Sequence, residues 1–161
     1  PCDVFFARAL LELLIAVGTT AIILPILYLM GHRYTWNDSL LLVAVTASLF
    51  AFSFGVGLIV GIVGPLWRES QKIIPVLIRP FFFISGIFFA AGDVPENLRN
   101  LALLNPLLQA TELLRQALFL DYDSHEGSFF ILFFWALVSL FSGLLFYRIF
   151  GRTLITSGKI R

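Results

Sequence analysis

The chain has 161 residues, of which 59% are hydrophobic, 16% aromatic and only 13% charged, with a formal net charge of +1 and a mean hydropathy of +0.94. Soluble domains carry about 25% charged residues, so this composition excludes a domain solvated mainly by water and makes the chain an integral membrane protein. A charge of +1 names no partner, and nucleic acid is not expected. Cys2 is the only cysteine and His32 and His125 the only histidines; these exclude an internal disulfide and any metal-ligand spacing, so no cofactor bound by this chain is expected. Pro1 opens the sequence, Met30 is its only methionine, and no charged n-region with a cleavage site precedes the first apolar run. No signal peptide is expected, and the chain reads as a piece of something longer.

The predicted fold is all-α, with four transmembrane runs and two short helices that do not span. The runs are 9–30, which holds Glu12; 39–64, free of charge; 73–91, interrupted by Arg79 and Pro80; and 129–148. Each is near the length of about 20 residues that crosses a hydrocarbon core. Arg79 stands roughly two turns inside its run, where its side chain can snorkel to the headgroups. Pro25, Pro75 and Pro80 are expected to kink these helices rather than end them.

Four spans put both ends of the chain on one side. Arg8, Arg68, Lys72, Arg79, Arg148, Arg152, Lys159 and Arg161 then face Arg33, Arg99 and Arg115 across the membrane, and the positive-inside rule assigns the larger group to the cytoplasm. Arg68, Glu69, Gln71 and Lys72 form a polar island between two spans on that side.

In 39–64, Ser53, Gly57 and Gly61 lie on one stripe and Ala47, Ala51 and Gly55 on the adjacent one, a spacing that lets helices approach closely, within the bundle or between subunits. In 73–91, Phe81 with Phe88 and Phe82 with Phe89 recur two helical turns apart. Two rows of rings follow, serving either as lipid-facing bulk or as a stacking path for sugars.

Residues 92–128 are too many for a turn and too apolar for a solvated loop. After Pro95, Leu98, Leu101 and Ala102 mark one short amphipathic helix, which Asn105-Pro106 stops. In a second helix Leu107, Ala110, Leu114 and Leu118 share a face opposite Gln109, Glu112, Arg115 and Gln116, with Glu112 and Arg115 spaced to pair. The pair of helices dips into the outer leaflet or lies on it.

The stretch Gly151 to Ile160 departs from a phosphate loop in glycine spacing and in its last residue, and Gly55-Val56-Gly57 has no preceding strand. No nucleophile, base and orienter are grouped, so no catalytic residue is assigned. The polar cluster open to a membrane enzyme acting on lipid or glycan is Glu112, Arg115, Asp121, Asp123, His125 and Glu126, which a solvated face also explains.

Several stretches together resemble the membrane subunit of type 2 ABC exporters, in the branch that exports capsular polysaccharide, O-antigen and teichoic acid. They are Ala7 to Glu12, Gly55 to Ile59, Gln71 to Pro75, Arg79-Pro80 with Phe83 to Ile87, Val94-Pro95, Asn105 to Leu108 and Glu112 to Arg115. The resemblance implies the C-terminal part of one permease domain, 1–161, lacking an N-terminal interfacial helix and two spans. It implies that 92–128, with Pro95, Asn105, Pro106, Glu112 and Arg115, gates the outer mouth, and that two copies enclose a path for lipid-linked or otherwise anchored glycan, with Phe81, Phe82, Phe88 and Phe89 as candidate lining. A separate ATPase subunit would use ATP and Mg and dock near Arg68, Glu69, Gln71 and Lys72. The implied setting is a bacterial inner membrane with both ends cytoplasmic. Members of this architecture also export drugs or lipids.

Overall fold

The computed structural model describes residues 2–29, 39–67, 69–119, 122 and 126–156; Arg68, Asp121, Asp123 and His125 fall outside them. Six helices and no strand are present among the described residues: α1 (Cys2–Leu29), α2 (Ser39–Leu66), α3 (Ser70–Phe83), α4 (Glu96–Ala102), α5 (Pro106–Leu118) and α6 (Phe129–Thr156), with a 3-10 turn at Ala91–Asp93. Within α2 and α6, Ser39–Gly64 and Phe129–Phe150 are long and apolar enough to cross a membrane. At 28 residues each, these helices reach roughly 42 Å, which exceeds a hydrocarbon core of about 30 Å.

α2 and α6 form the structural axis, and they run parallel. Near their starts Val45 and Leu132 share one buried cluster; further along, the Ser139 hydroxyl donates to the Phe52 carbonyl at 2.8 Å, and Gly55 meets Ser139 and Gly143. Glycine at the crossing is a steric requirement. A Cβ on Gly55 would lie 2.4 Å from the Ser139 backbone, and one on Gly143 would lie 2.5 Å from the Gly55 carbonyl oxygen. The two stripes of α2 thus differ at their glycines: Gly55 is buried in the crossing, whereas a Cβ on Gly57 would meet nothing within 4 Å. Two hydroxyls of α2 are satisfied by its own backbone, with Thr46 donating to Leu42 and Ser48 to Ala44 at 2.8 Å each.

The chain turns tightly between α2 and α3. Ser70 is buried, and its hydroxyl donates to the carbonyls of Trp67 at 2.6 Å and Val63 at 3.3 Å. α3 continues through Pro75 and Pro80, as expected, but stops at Phe83. Residues 84–90 of the third apolar run are therefore not helical. The cause lies in Gly86, whose φ of +75° suits glycine and strains other residues. α1 and α6 extend beyond the expected runs, beginning at Cys2 and ending at Thr156.

α4 and α5 are the two short helices, and they are held differently. α4 has no buried residue. α5 buries Pro106, Leu108, Gln109, Ala110, Glu112, Leu113 and Ala117, and Ala110 and Leu113 pack with Val45 of α2 and Leu132 of α6. Val45 lies six residues into α2, roughly 9 Å along its axis, so α5 is wedged among the apolar helices rather than resting on their ends.

Gly55→Ala should therefore destabilise the full-length protein by about 1–3 kcal/mol through overpacking, while Gly57→Ala should stay within about 0.5 kcal/mol of wild type. Denaturation midpoints in mixed micelles check the contrast; equal midpoints for the two variants would contradict the assigned crossing.

Candidate functional site

Where α3 breaks, its backbone loses helical partners, and side chains of α4 and α5 replace them. Asn105 caps α5 by accepting from the Leu107 amide at 3.0 Å, and its Nδ2 donates to the Ile84 carbonyl at 3.2 Å. The Thr111 hydroxyl donates to Ser85 O at 2.8 Å. Arg115 donates through Nη1 to Phe89 O at 3.1 Å and through Nη2 to Gly86 O. Glu112 Oε1 accepts from the Ala91 amide at 2.9 Å, and Arg99 Nη2 donates to Gly92 O at 3.0 Å and Val94 O at 3.3 Å. Gly86 also sits against α5 so closely that a Cβ there would lie 2.3 Å from Leu108 Cδ1.

Glu112 and Arg115 do pair, at 3.0 Å, as their spacing implies. Their environment differs from a solvated face: Glu112 is 1% exposed, as is Gln109. The reason is that this stripe of α5 meets orphaned backbone instead of water. Glu112 uses both oxygens, since Oε2 accepts the Tyr122 hydroxyl at 2.7 Å. Burial first, and then the hydrogen bond and charge of Glu112, raise the Tyr122 phenol above its ordinary value of 10.0. Gln109 spans two loops, donating to Leu103 O at 2.5 Å and accepting from Ser128 N at 2.6 Å. Arg99 also meets Glu126 at 3.4 Å, with about a third of each side chain exposed, so this pair contributes little to stability.

These contacts give the cluster a bracing role. A general base needs a free lone pair facing a substrate, and Glu112 spends its oxygens on Ala91, Arg115 and Tyr122. Gly86, Thr111 and Tyr122 are not marked by the sequence pattern. The legible signal was the recurrence Asn105, Gln109, Glu112, Gln116 at helical spacing within an apolar chain.

The aromatic rows are not formed, because Phe88 and Phe89 lie beyond the end of α3. A cluster replaces them: Phe88 stacks on Phe83 at 6.1 Å and meets Phe82 edge-on at 5.9 Å, while Phe82 and Phe83 meet edge-on at 6.1 Å. Phe81, Phe82, Phe83 and Phe88 are exposed, and Phe89 is half-buried. Arg79 is exposed on the same helix, nine residues past Ser70, or roughly 14 Å along the axis. On the other side of the α2–α3 turn, Lys72 meets Glu69 at 3.5 Å, both well exposed.

Breaking one partner of a buried pair leaves an uncompensated charge, so Glu112→Ala should cost about 3–5 kcal/mol and Tyr122→Phe about 1 kcal/mol. Thermal unfolding of the purified protein checks both. Because the folded phenol holds its proton more tightly than the unfolded one, its stabilisation is fully present below pH 10 and is lost as pH climbs through the raised value. Tyr122→Phe should flatten that alkaline loss; an unchanged pH profile would detach Tyr122 from Glu112.

A family model described as ABC-2 type transporter matches residues 1–119. The polysialic acid transport protein KpsM of Escherichia coli is 38% identical over 157 residues, covering 98% of this chain and 61% of KpsM. The capsule polysaccharide export inner-membrane protein CtrC of Neisseria meningitidis is 26% identical over 131 residues, 81% of this chain and 49% of CtrC. BexB of Haemophilus influenzae, of the same description, is 29% identical over 119 residues, 74% of this chain and 45% of BexB. The chain thus spans about three-fifths of KpsM, at 61%, and about half of the other two, at 49% and 45%. With a match over residues 1–119 and helices of bilayer length behind it, the chain belongs to the ABC-2 type transporter family.

Proposed function

We propose that this chain is part of the permease of an ATP-driven exporter that carries capsule-type polysaccharide outward across the bacterial inner membrane. The observation that carries the reading is the 38% identity with a polysialic acid transport protein over 98% of the chain, joined by two relatives described as capsule polysaccharide export inner-membrane proteins.

Four crossings fit this role. Parallel α2 and α6 start on the same side, so the connection between them must recross the bilayer. α3, at 14 residues, covers roughly 21 Å, and the segment braced by α4 and α5 completes the outer part. The distribution of basic residues orients this bundle with both ends of the chain in the cytoplasm. A separate ATPase, hydrolysing ATP with Mg, docks at the polar island of Arg68, Glu69, Gln71 and Lys72, and a second copy closes the path. At the outer mouth α4 and α5 form the gate, bounded by Pro95, Asn105 and Pro106, with Glu112 and Arg115 as its fixed brace. Phe82, Phe83 and Phe88 offer stacking faces to sugars without holding them tightly; Phe81 and Phe89 flank them.

The deciding experiment expresses the full-length subunit with its ATPase in a capsule-producing host whose own permease is deleted. Surface polysaccharide should return, and Asn105→Ala, which frees the Ile84 carbonyl and uncaps α5, should reduce it at equal protein level. Glycan that stays inside despite normal expression of both subunits, or efflux of a drug instead, would overturn the reading. Topology is checked separately in a Cys2→Ser background: cysteine at position 39 or 126 should label from outside, and cysteine at 69 only after permeabilisation.

A further inference from the structure

Among the described residues, the Glu69 and Lys72 pair and the Glu112 and Arg115 pair each join neighbours three apart in sequence, whereas Arg99 and Glu126 tie α4 to the segment that leads into α6. Arg99 is also the one α4 side chain, among the described residues, that makes a hydrogen bond or ion pair. Because α4 buries no residue, packing does not fix it, and the place of its middle turn rests on this guanidinium. The far end of α4 is held separately: buried Gln109 of α5 donates to Leu103 O just past α4 and accepts from Ser128 N just ahead of α6.

The pair is built to part. Its contact is 3.4 Å long, against about 2.7–2.9 Å for a tight charge-assisted bond, and Arg99 Nε and Glu126 Oε2 are buried with no hydrogen-bond partner among the described residues. A guanidinium and a carboxylate that could meet through two prongs therefore meet through one, and the arrangement leaves polar groups unsatisfied. With 31% and 29% of the two side chains exposed, water can take over each charge when they separate; Glu112, 1% exposed, has no such exchange open to it. The bonds from Arg99 to Gly92 O and Val94 O reach the turn just before α4 and travel with that helix, so Glu126 is the contact that must break. We propose that Arg99 and Glu126 form a releasable latch: closed, it holds α4 against the segment before α6; open, it lets α4 swing while Gln109 and α5 stay in place. This deepens the reading of α4 and α5 as an outer gate and rests on it, adding the contact that sets whether the gate is shut.

The test uses the full-length subunit with its ATPase in proteoliposomes, in a cysteine-free background, with spin labels on cysteines placed at position 100 of α4 and position 130 of α6, both exposed. With the latch intact, one distance should dominate, beside a minor longer one that grows as salt rises. Glu126→Gln, which keeps the Arg99 bonds to Gly92 and Val94, should enlarge the longer population roughly two- to fivefold, remove its salt response and leave the thermal midpoint in place. Unchanged distances in Glu126→Gln would make the pair an idle surface contact, and a fall in thermal midpoint would make it a structural tie; either overturns the latch, as does a wild-type distance that ignores salt. A second arm joins Arg99→Cys to Glu126→Cys with a short reducible thiol bridge. Export of labelled oligosialic acid should stop on bridging and return on reduction, and export that continues through the bridge overturns the proposal. Wild-type protein that moves no glycan with its ATPase bound defeats the export reading instead, and the distances then decide the latch alone.

Discussion

In an apolar medium a broken helix must find hydrogen-bond partners for the backbone groups it frees, and most of this structure outside α2 and α6 answers that demand. The break after Phe83 exposes carbonyls and amides from Ile84 to Val94. Asn105, Thr111, Glu112 and Arg115 of α5, with Arg99 of α4, take up seven of these groups. Irregular backbone is tolerated at membrane depth only where protein or water satisfies it. The polar stripe of α5 is therefore the condition for the turn to exist, and Glu112 is buried because its hydrogen-bond partners are.

That brace needs a rigid base, which the parallel pair of α2 and α6 supplies. Their close crossing at Gly55, Ser139 and Gly143 fixes the spacing of their first turns, where Val45 and Leu132 receive Ala110 and Leu113. Rigidity then decreases outward. α5 is anchored by its buried face, whereas α4 buries nothing and is tied by Arg99 to the 92–94 turn and Glu126. Low local contact density is where opening motions are drawn from.

Much of this was legible in the sequence. The charge-free run 39–64, the last run from Phe129, the stop at Asn105-Pro106 and the spacing of Glu112 with Arg115 all have their counterparts in the structure. The end of α3 was not legible, because hydropathy does not distinguish a helix from a turn whose carbonyls are bonded by distant side chains; Ile84 to Ala90 are as apolar as the helix before them. Only Gly86 marked the break, and a glycine in an apolar run is also an ordinary packing residue. The aromatic rows failed for the same reason, since they assumed helical spacing across that glycine. Burial of Glu112 and Gln109 was hidden because amphipathic spacing identifies two faces of a helix without saying what covers the polar one.

The polar residues of this chain therefore divide by whether the fold consumes them. Glu112, Arg115, Asn105 and Thr111 are committed to backbone, and Gln109 to Leu103 and Ser128, so their chemistry is spent on shape. This weighs against an enzyme built on Glu112 and Arg115, because neither can change partners without releasing the α3 break. A transporter has the opposite requirement: its path must offer contacts that are available but weak, so that cargo can leave as readily as it arrives. On the exposed face of α3, by contrast, Arg79 and the Phe82, Phe83 and Phe88 rings are not consumed by the fold.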